Sequence, residues 1–158
     1  MREIIGVLVE NKFGVLARVV DLFSTRGFNI DSLNVAETQD PAVSRMTMVV
    51  QGDEAVLEQI QKQLNKLIDT TKVIRFSDGD HVEREMALIK VSTTKHGRAE
   101  LMAVANLARA EVIDVGDSYL TLGLMGTQED VGRLVALVEP FHIIEIARTG
   151  PSALTRGK

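Results

Sequence analysis

In Asn11-Lys12-Phe13-Gly14-Val15-Leu16-Ala17-Arg18-Val19, residue types and spacing converge on a chemistry. The segment follows a short apolar run and leads into a helical period, so it reads as a polar loop between a strand and a helix. The first N–H groups of a helix have no acceptor within it, and the aligned peptide dipoles leave that end partly positive. Such an end can hold a carboxylate without an arginine. Gly14 removes the Cβ that would keep a ligand away from the main chain. The amide of Asn11 both donates and accepts, which suits a molecule carrying an ammonium and a carboxylate. The same residues also make an ordinary strand-to-helix turn, where Gly and Asn serve for conformational tolerance. Residues alone favour that plainer reading.

Other chemistries find less support. The chain has no cysteine, which excludes disulfides, thiolate metal sites and a cysteine nucleophile. His81, His96 and His142 are far apart and lack metal-ligand spacing, so solvated or hydrogen-bonded roles fit them better. Neither a Walker loop nor Gly-x-Gly-x-x-Gly occurs. Asp78, Asp80, Glu83 and Glu85 read as a solvated charge run rather than an acid–base centre. A net charge of −4 argues against nucleic acid. RNA-binding modules of similar element order stack bases on strand aromatics, whereas Arg45-Met46-Thr47-Met48-Val49-Val50 carries none.

The elements that must position the loop follow from the hydrophobic period. Residues 4–9 read as a strand, too short for a membrane span and without a small-residue cleavage site, so a cytoplasmic protein is expected. Val15, Leu16, Val19, Val20, Leu22 and Phe23 share a helical face, with Gly27 as terminator. Strands over Ile30–Glu37 and Arg45–Val50 flank an Asp40-Pro41 turn. A helix capped by Asp53 and a strand over Lys72–Phe76 complete the half. The order recurs: strand Met86–Ser92, helix Arg98–Arg109, strands Val112–Val115 and Tyr119–Met125, helix Gln128–Val138 capped by Thr127 with Asp130, and strand His142–Arg148.

Two βαββαβ copies in 158 residues predict an α+β chain of two tandem ferredoxin-like modules, each an antiparallel sheet with helices on one face. Residues 1–77 form the first module, 78–85 a linker, 86–150 the second, and 151–158 a tail with little to bury. Ile30 and Val49 are expected on the sheet face away from the helices. Apolar residues there would be covered by another copy, so an oligomer is expected.

Asn11-x-x-Gly14-Val15-Leu16-x-Arg18-Val19, followed by Phe23-Ser24-x-Arg26-Gly27-Phe28-Asn29-Ile30-x-Ser32-Leu33, resembles the ACT domain of acetohydroxyacid (acetolactate) synthase small subunits. Asp40-Pro41, Ser44-Arg45-Met46-Thr47, His81-Val82-Glu83-Arg84-Glu85, Ile113-Asp114-Val115 and Ala147-Arg148-Thr149-Gly150 extend the resemblance over essentially the whole chain. It implies an N-terminal ACT domain for amino-acid binding and dimerisation, and a C-terminal ferredoxin-like domain. It implies a non-catalytic regulatory subunit that forms a homodimer or higher homo-oligomer. The partner would be the large catalytic subunit of branched-chain amino-acid synthesis, which carries thiamine diphosphate, Mg²⁺ and FAD; this chain would carry no cofactor. The effector, usually valine, would bind between two ACT domains. Asn11 and the Gly14-Val15-Leu16 main chain of one copy would meet it, with Asn29 and Ile30 of the other. The alternatives are a stand-alone ACT-type amino-acid sensor acting on another partner, and an enzyme in its own right. A sensor acting on transcription would need a helix-turn-helix segment, and none is visible.

Overall fold

Ile5, Val7 and Val9 alternate along one strand, and Met46, Met48 and Val50 along another, which gives their sheet an apolar face. The computed structural model describes residues 1–76 and 80–157. The chain divides into two units, Met1–Val82 with Gly150–Lys158, and Glu83–Thr149. The first holds β1 (Arg2–Glu10), α1 (Val15–Thr25), β2 (Ile30–Glu37), β3 (Val43–Gln51), α2 (Glu54–Asn65) and β4 (Thr70–Phe76). Its antiparallel sheet runs β2-β3-β1-β4. The apolar face packs on Val15, Val19, Leu22 and Phe23 of α1 and on Leu57, Ile60 and Leu64 of α2. Gly27 closes α1 with φ +70, where the N–H groups of Gly27 and Phe28 reach Ser24 O (3.2 Å) and Phe23 O (3.0 Å). Asp53 caps α2 by accepting from the Val56 N–H at 2.9 Å.

The second unit repeats the order with β5 (His81–Ser92, whose first residues lie in the first unit), α3 (Arg98–Leu107), β6 (Glu111–Val115), β7 (Tyr119–Gly126), α4 (Gln128–Val138) and β8 (Ile143–Arg148). The sheet order is β6-β7-β5-β8. Ala87, Ile89, Val91, Leu120 and Leu122 pack on Leu101, Val131 and Leu134. Thr127 and Asp130 form the expected capping box on α4. Both halves are therefore ferredoxin-like βαββαβ modules.

Five expectations change. Of the expected linker, residues 81–85 belong to β5, while Ser77, Asp78 and Gly79 lie outside the described residues. The inward positions here are polar: Glu85 is 3% exposed and pairs with Arg148, so burial leaves no apolar period to read. The expected tail, whose Lys158 lies outside the described residues, contains β9 (Ser152–Thr155). Asn34 Nδ2 donates to Pro151 O at 2.7 Å, and Ala153 packs with Ile4, Val49 and Phe76. Val49 is thus covered by the chain's own C-terminal segment rather than by another copy. Ile30 packs against the helix-side core instead, because the register shifts between Ile30, opposite Val50, and Ser32, opposite Val49. Finally, α3 ends at Leu107 and Arg109 takes φ +58.

Placing a carboxylate at Ala153, which is 3% exposed, buries a charge among apolar side chains. Ala153→Asp should cost about 3 kcal/mol, read from urea unfolding followed in the first unit. Leu154→Asp, at a 56% exposed position, should stay within about 0.5 kcal/mol of the parent.

Candidate functional site

The loop between β1 and α1 is anchored by its main chain. The Glu10 N–H donates to Asp69 O (2.9 Å) and the Asn11 N–H to Ala42 O (2.8 Å). Asn11 Nδ2 donates to Pro41 O at 2.9 Å, which leaves its Oδ1 as an acceptor without a partner among the described residues. Gly14 is the N-cap of α1, with φ +82 and ψ −6, so it offers no side chain to the helix end. The Arg18 N–H closes the first turn on Gly14 O at 3.1 Å, and the Val15 N–H leans on Lys12 O at 3.4 Å. The N–H groups of Leu16 and Ala17 find no acceptor among the described residues. Side-chain caps ordinarily serve these two positions.

The four helices described differ at this end. Asp53 caps α2, and Glu54 lies in its first turn. α3 lacks a side-chain cap but carries Glu100. α4 has its capping box and Glu129; the Thr127 main-chain N–H holds the Asp130 carboxyl below the usual range. α1 has neither a side-chain cap nor an acidic residue in its first turn. Its positive end is the one that the chain's own side chains leave uncompensated.

The neighbouring cations are turned elsewhere. Lys12 Nζ lies 2.8 Å from Glu10 Oε2, and that hydrogen bond raises the ammonium pKa. Arg18 Nε donates to the nearly buried Asp69 carboxylate at 2.8 Å. A ligand at the loop would therefore meet main-chain amides first, with Phe13 and Leu16 exposed beside them.

Of the sequence-predicted residues, Asn11, Gly14 and Leu16 gather here, whereas Val15 sends its side chain into the core and contributes main chain alone. Ala17 was missed. Counting helix positions from Gly14 as the cap would have found it, since Ala17 is the third residue of the helix. Asn29 and Ile30 lie elsewhere. Asn29 Nδ2 donates to Asp31 Oδ1 at 2.9 Å. Ile30 faces Val50, whereas Glu10 faces Val43, at the other end of β3. At roughly 3.4 Å per residue, these ends are on the order of 20 Å apart, so one chain does not bring the two halves together. A hollow of about 340 Å³ between α1 and α2 is lined by Arg18, Asp21, Arg26 and Gln63, and not by any of these six residues.

His81 packs on Phe76, with ring centroids 5.4 Å apart, and His96 packs on Phe141 at 5.0 Å. Among the described residues, no three His, Cys, Asp or Glu gather as a metal site, and no helix is long and apolar enough to cross a membrane.

The left-handed backbone at Gly14 gives a stability test. A Cβ there would be strained by its φ of +82 and would sit 3.1 Å from Arg18 Nη1. Gly14→Ala should lower unfolding free energy by about 1 kcal/mol in urea titrations. An unchanged midpoint would mean that the loop does not hold this conformation.

Residues 5–72 match a family described as the AHAS small subunit-like ACT domain, and residues 84–157 match one described as the small subunit of acetolactate synthase. The acetolactate synthase isozyme 3 small subunit of Salmonella typhimurium is 46% identical, over 99% of this chain and 97% of its own length. A probable acetolactate synthase small subunit of Archaeoglobus fulgidus is 46% identical, over 99% of this chain and 98% of its own. The crystal structure of the acetolactate synthase small subunit from Thermotoga maritima superposes with a TM-score of 0.90 at 36% identity, covering 100% of this chain and 99% of that one.

Proposed function

We propose that this chain, which belongs to the acetolactate synthase small-subunit family, is a non-catalytic regulatory subunit acting in the cytoplasm. It binds a branched-chain amino acid, valine, activates the large catalytic subunit and confers feedback inhibition on it. The observation that carries the reading is the uncompensated N-terminus of α1. The effector's carboxylate accepts from the Leu16 and Ala17 N–H groups, and its ammonium donates to Asn11 Oδ1. Asn29 and Ile30 of a second copy close the pocket, which the wide separation of the two halves within one chain supports. β2 is an edge strand of its sheet, and Leu16 and Val20 are exposed one turn apart on α1. Those surfaces join two copies about a two-fold axis, pairing sheets and helices.

Inhibition follows from linkage. Valine shifts the assembly only as far as it prefers the inhibited arrangement, and a ~100-fold preference is roughly 2.7 kcal/mol. The catalytic apparatus, thiamine diphosphate, Mg²⁺ and FAD included, belongs to the large subunit.

Titrating purified large subunit with this chain should raise acetolactate formation to a plateau that valine then lowers. Absence of any rise sinks the proposal. Gly14→Asp puts a carboxylate where the effector's own would sit, so it should abolish valine inhibition while activation survives.

A two-copy site makes a sharper demand. Gly14→Asp and Asn29→His homodimers each carry a defect in every site. A mixed dimer of the two variants should regain one intact site, and with it about half of the valine binding seen by calorimetry. No recovery would show that both residues serve the same chain's pocket.

A further inference from the structure

We propose that the second unit carries a docking groove for an acidic, apolar-flanked segment of the catalytic subunit, anchored by Arg109. This rests on the regulatory-subunit reading above.

The main chain at Arg109 is the first observation. α3 closes with the Ala110 N–H on Ala105 O (2.9 Å) and the Arg109 N–H on Asn106 O (3.1 Å), the same pattern that closes α1. In α1 the left-handed position belongs to Gly27, at φ +70; in α3 it belongs to Arg109, at φ +58. A side chain with a Cβ is disfavoured there, and strained positions concentrate at functional sites.

The surroundings of its side chain are the second observation. The Arg109 guanidinium makes no hydrogen bond or ion pair with the described residues. It stands between two hollows of the second unit. One, of about 320 Å³, is floored by Met86, Leu88, Ile113 and Met125. The other, of about 500 Å³, is lined by Arg84, Leu107, Arg133 and Leu137, and the two share Arg109, Leu124 and Met125. Leu107 is 83% and Met125 74% exposed, so the floor presents apolar surface to solvent. Ile113 lies flat over Gly123, where an added Cβ would come within 2.8 Å of it.

Charge selects the occupant. Arg84, Arg109 and Arg133 line the groove against Glu111 and Asp130. The Asp130 carboxylate is committed to the Thr127 N–H at 2.9 Å, and Arg133 leans on Glu129 at 3.2 Å. Arg133 also lies 3.8 Å from Asp130, and Arg84 donates to Glu83 O at 2.7 Å, so Arg109 is the lining arginine whose guanidinium has no partner among the described residues. A carboxylate flanked by apolar side chains satisfies both the floor and the anchor. A second copy docked groove to groove would bring like arginines together.

The test uses the full chain with purified large subunit, measuring the concentration that gives half-maximal activation. Arg109→Gly should raise the melting temperature by relieving the left-handed strain, yet require at least tenfold more chain for activation. Arg109→Glu should require more still, and Arg109→Lys should recover most of the loss. Valine affinity of the isolated variants should match the parent. The groove is overturned if Arg109→Glu activates at parental concentrations. It is also overturned if that variant changes the sedimentation of the isolated chain, which would place a second copy in the groove. A parent chain that fails to activate at all sinks the regulatory reading itself, a distinct result from variants that behave like an active parent.

Discussion

An α-helix cannot satisfy the N–H groups of its own first turn, and in α1 no side chain does it instead. The surroundings hold that end open rather than fill it. Glu10 and Asn11 are tied to Asp69 and Ala42 by their main chains, Asn11 to Pro41 by its side chain, and Lys12 to Glu10. Gly14 supplies the left-handed turn and no cap. Amides exposed to water cost nothing, but the same amides buried without an acceptor cost about 1–3 kcal/mol each. Covering this loop with another surface therefore calls for an acceptor, and the positive end of the helix favours an anionic one.

Sheet geometry sets the second condition. β3 separates β1 from β2, and its length fixes the loop and the start of β2 at opposite ends. No side-chain rotation closes a gap of that order. Any pocket using both places takes them from different copies, and a ligand there reports on how two copies are arranged.

Much of this was legible because burial and chemistry coincide. Met46, Met48 and Val50 alternate and are buried on one face; Asp53 and Thr127 with Asp130 sit where helix caps belong. Reading failed where they part. Glu85 is buried but charged, paired with Arg148, so the start of β5 looked like a linker. The shift beside Asp31 turns Ile30 to the other face, and a one-residue bulge leaves no trace in period-two counting. Ala153 is a small side chain in a four-residue strand, too short to show a period, yet it covers Val49. At the candidate loop, Asn11 and Gly14 stand out in the sequence by type and Leu16 through the resemblance. Ala17 does not, because alanine offers its main chain alone.

The two modules share an element order but depart from it at opposite ends of the corresponding helix. α1 leaves its N-terminus uncompensated and closes with Gly27; α3 carries Glu100 in its first turn and closes with Arg109. In each module the departure from local preference is a small cost that local packing does not require. If one departure receives an amino acid and the other a protein partner, the two bindings are linked as far as each prefers one arrangement of the assembly over another. An effector that weakens the productive complex by some factor must itself be weakened by that complex by the same factor. Regulation then needs no special path through the chain. It needs two occupants and one equilibrium that both of them bias.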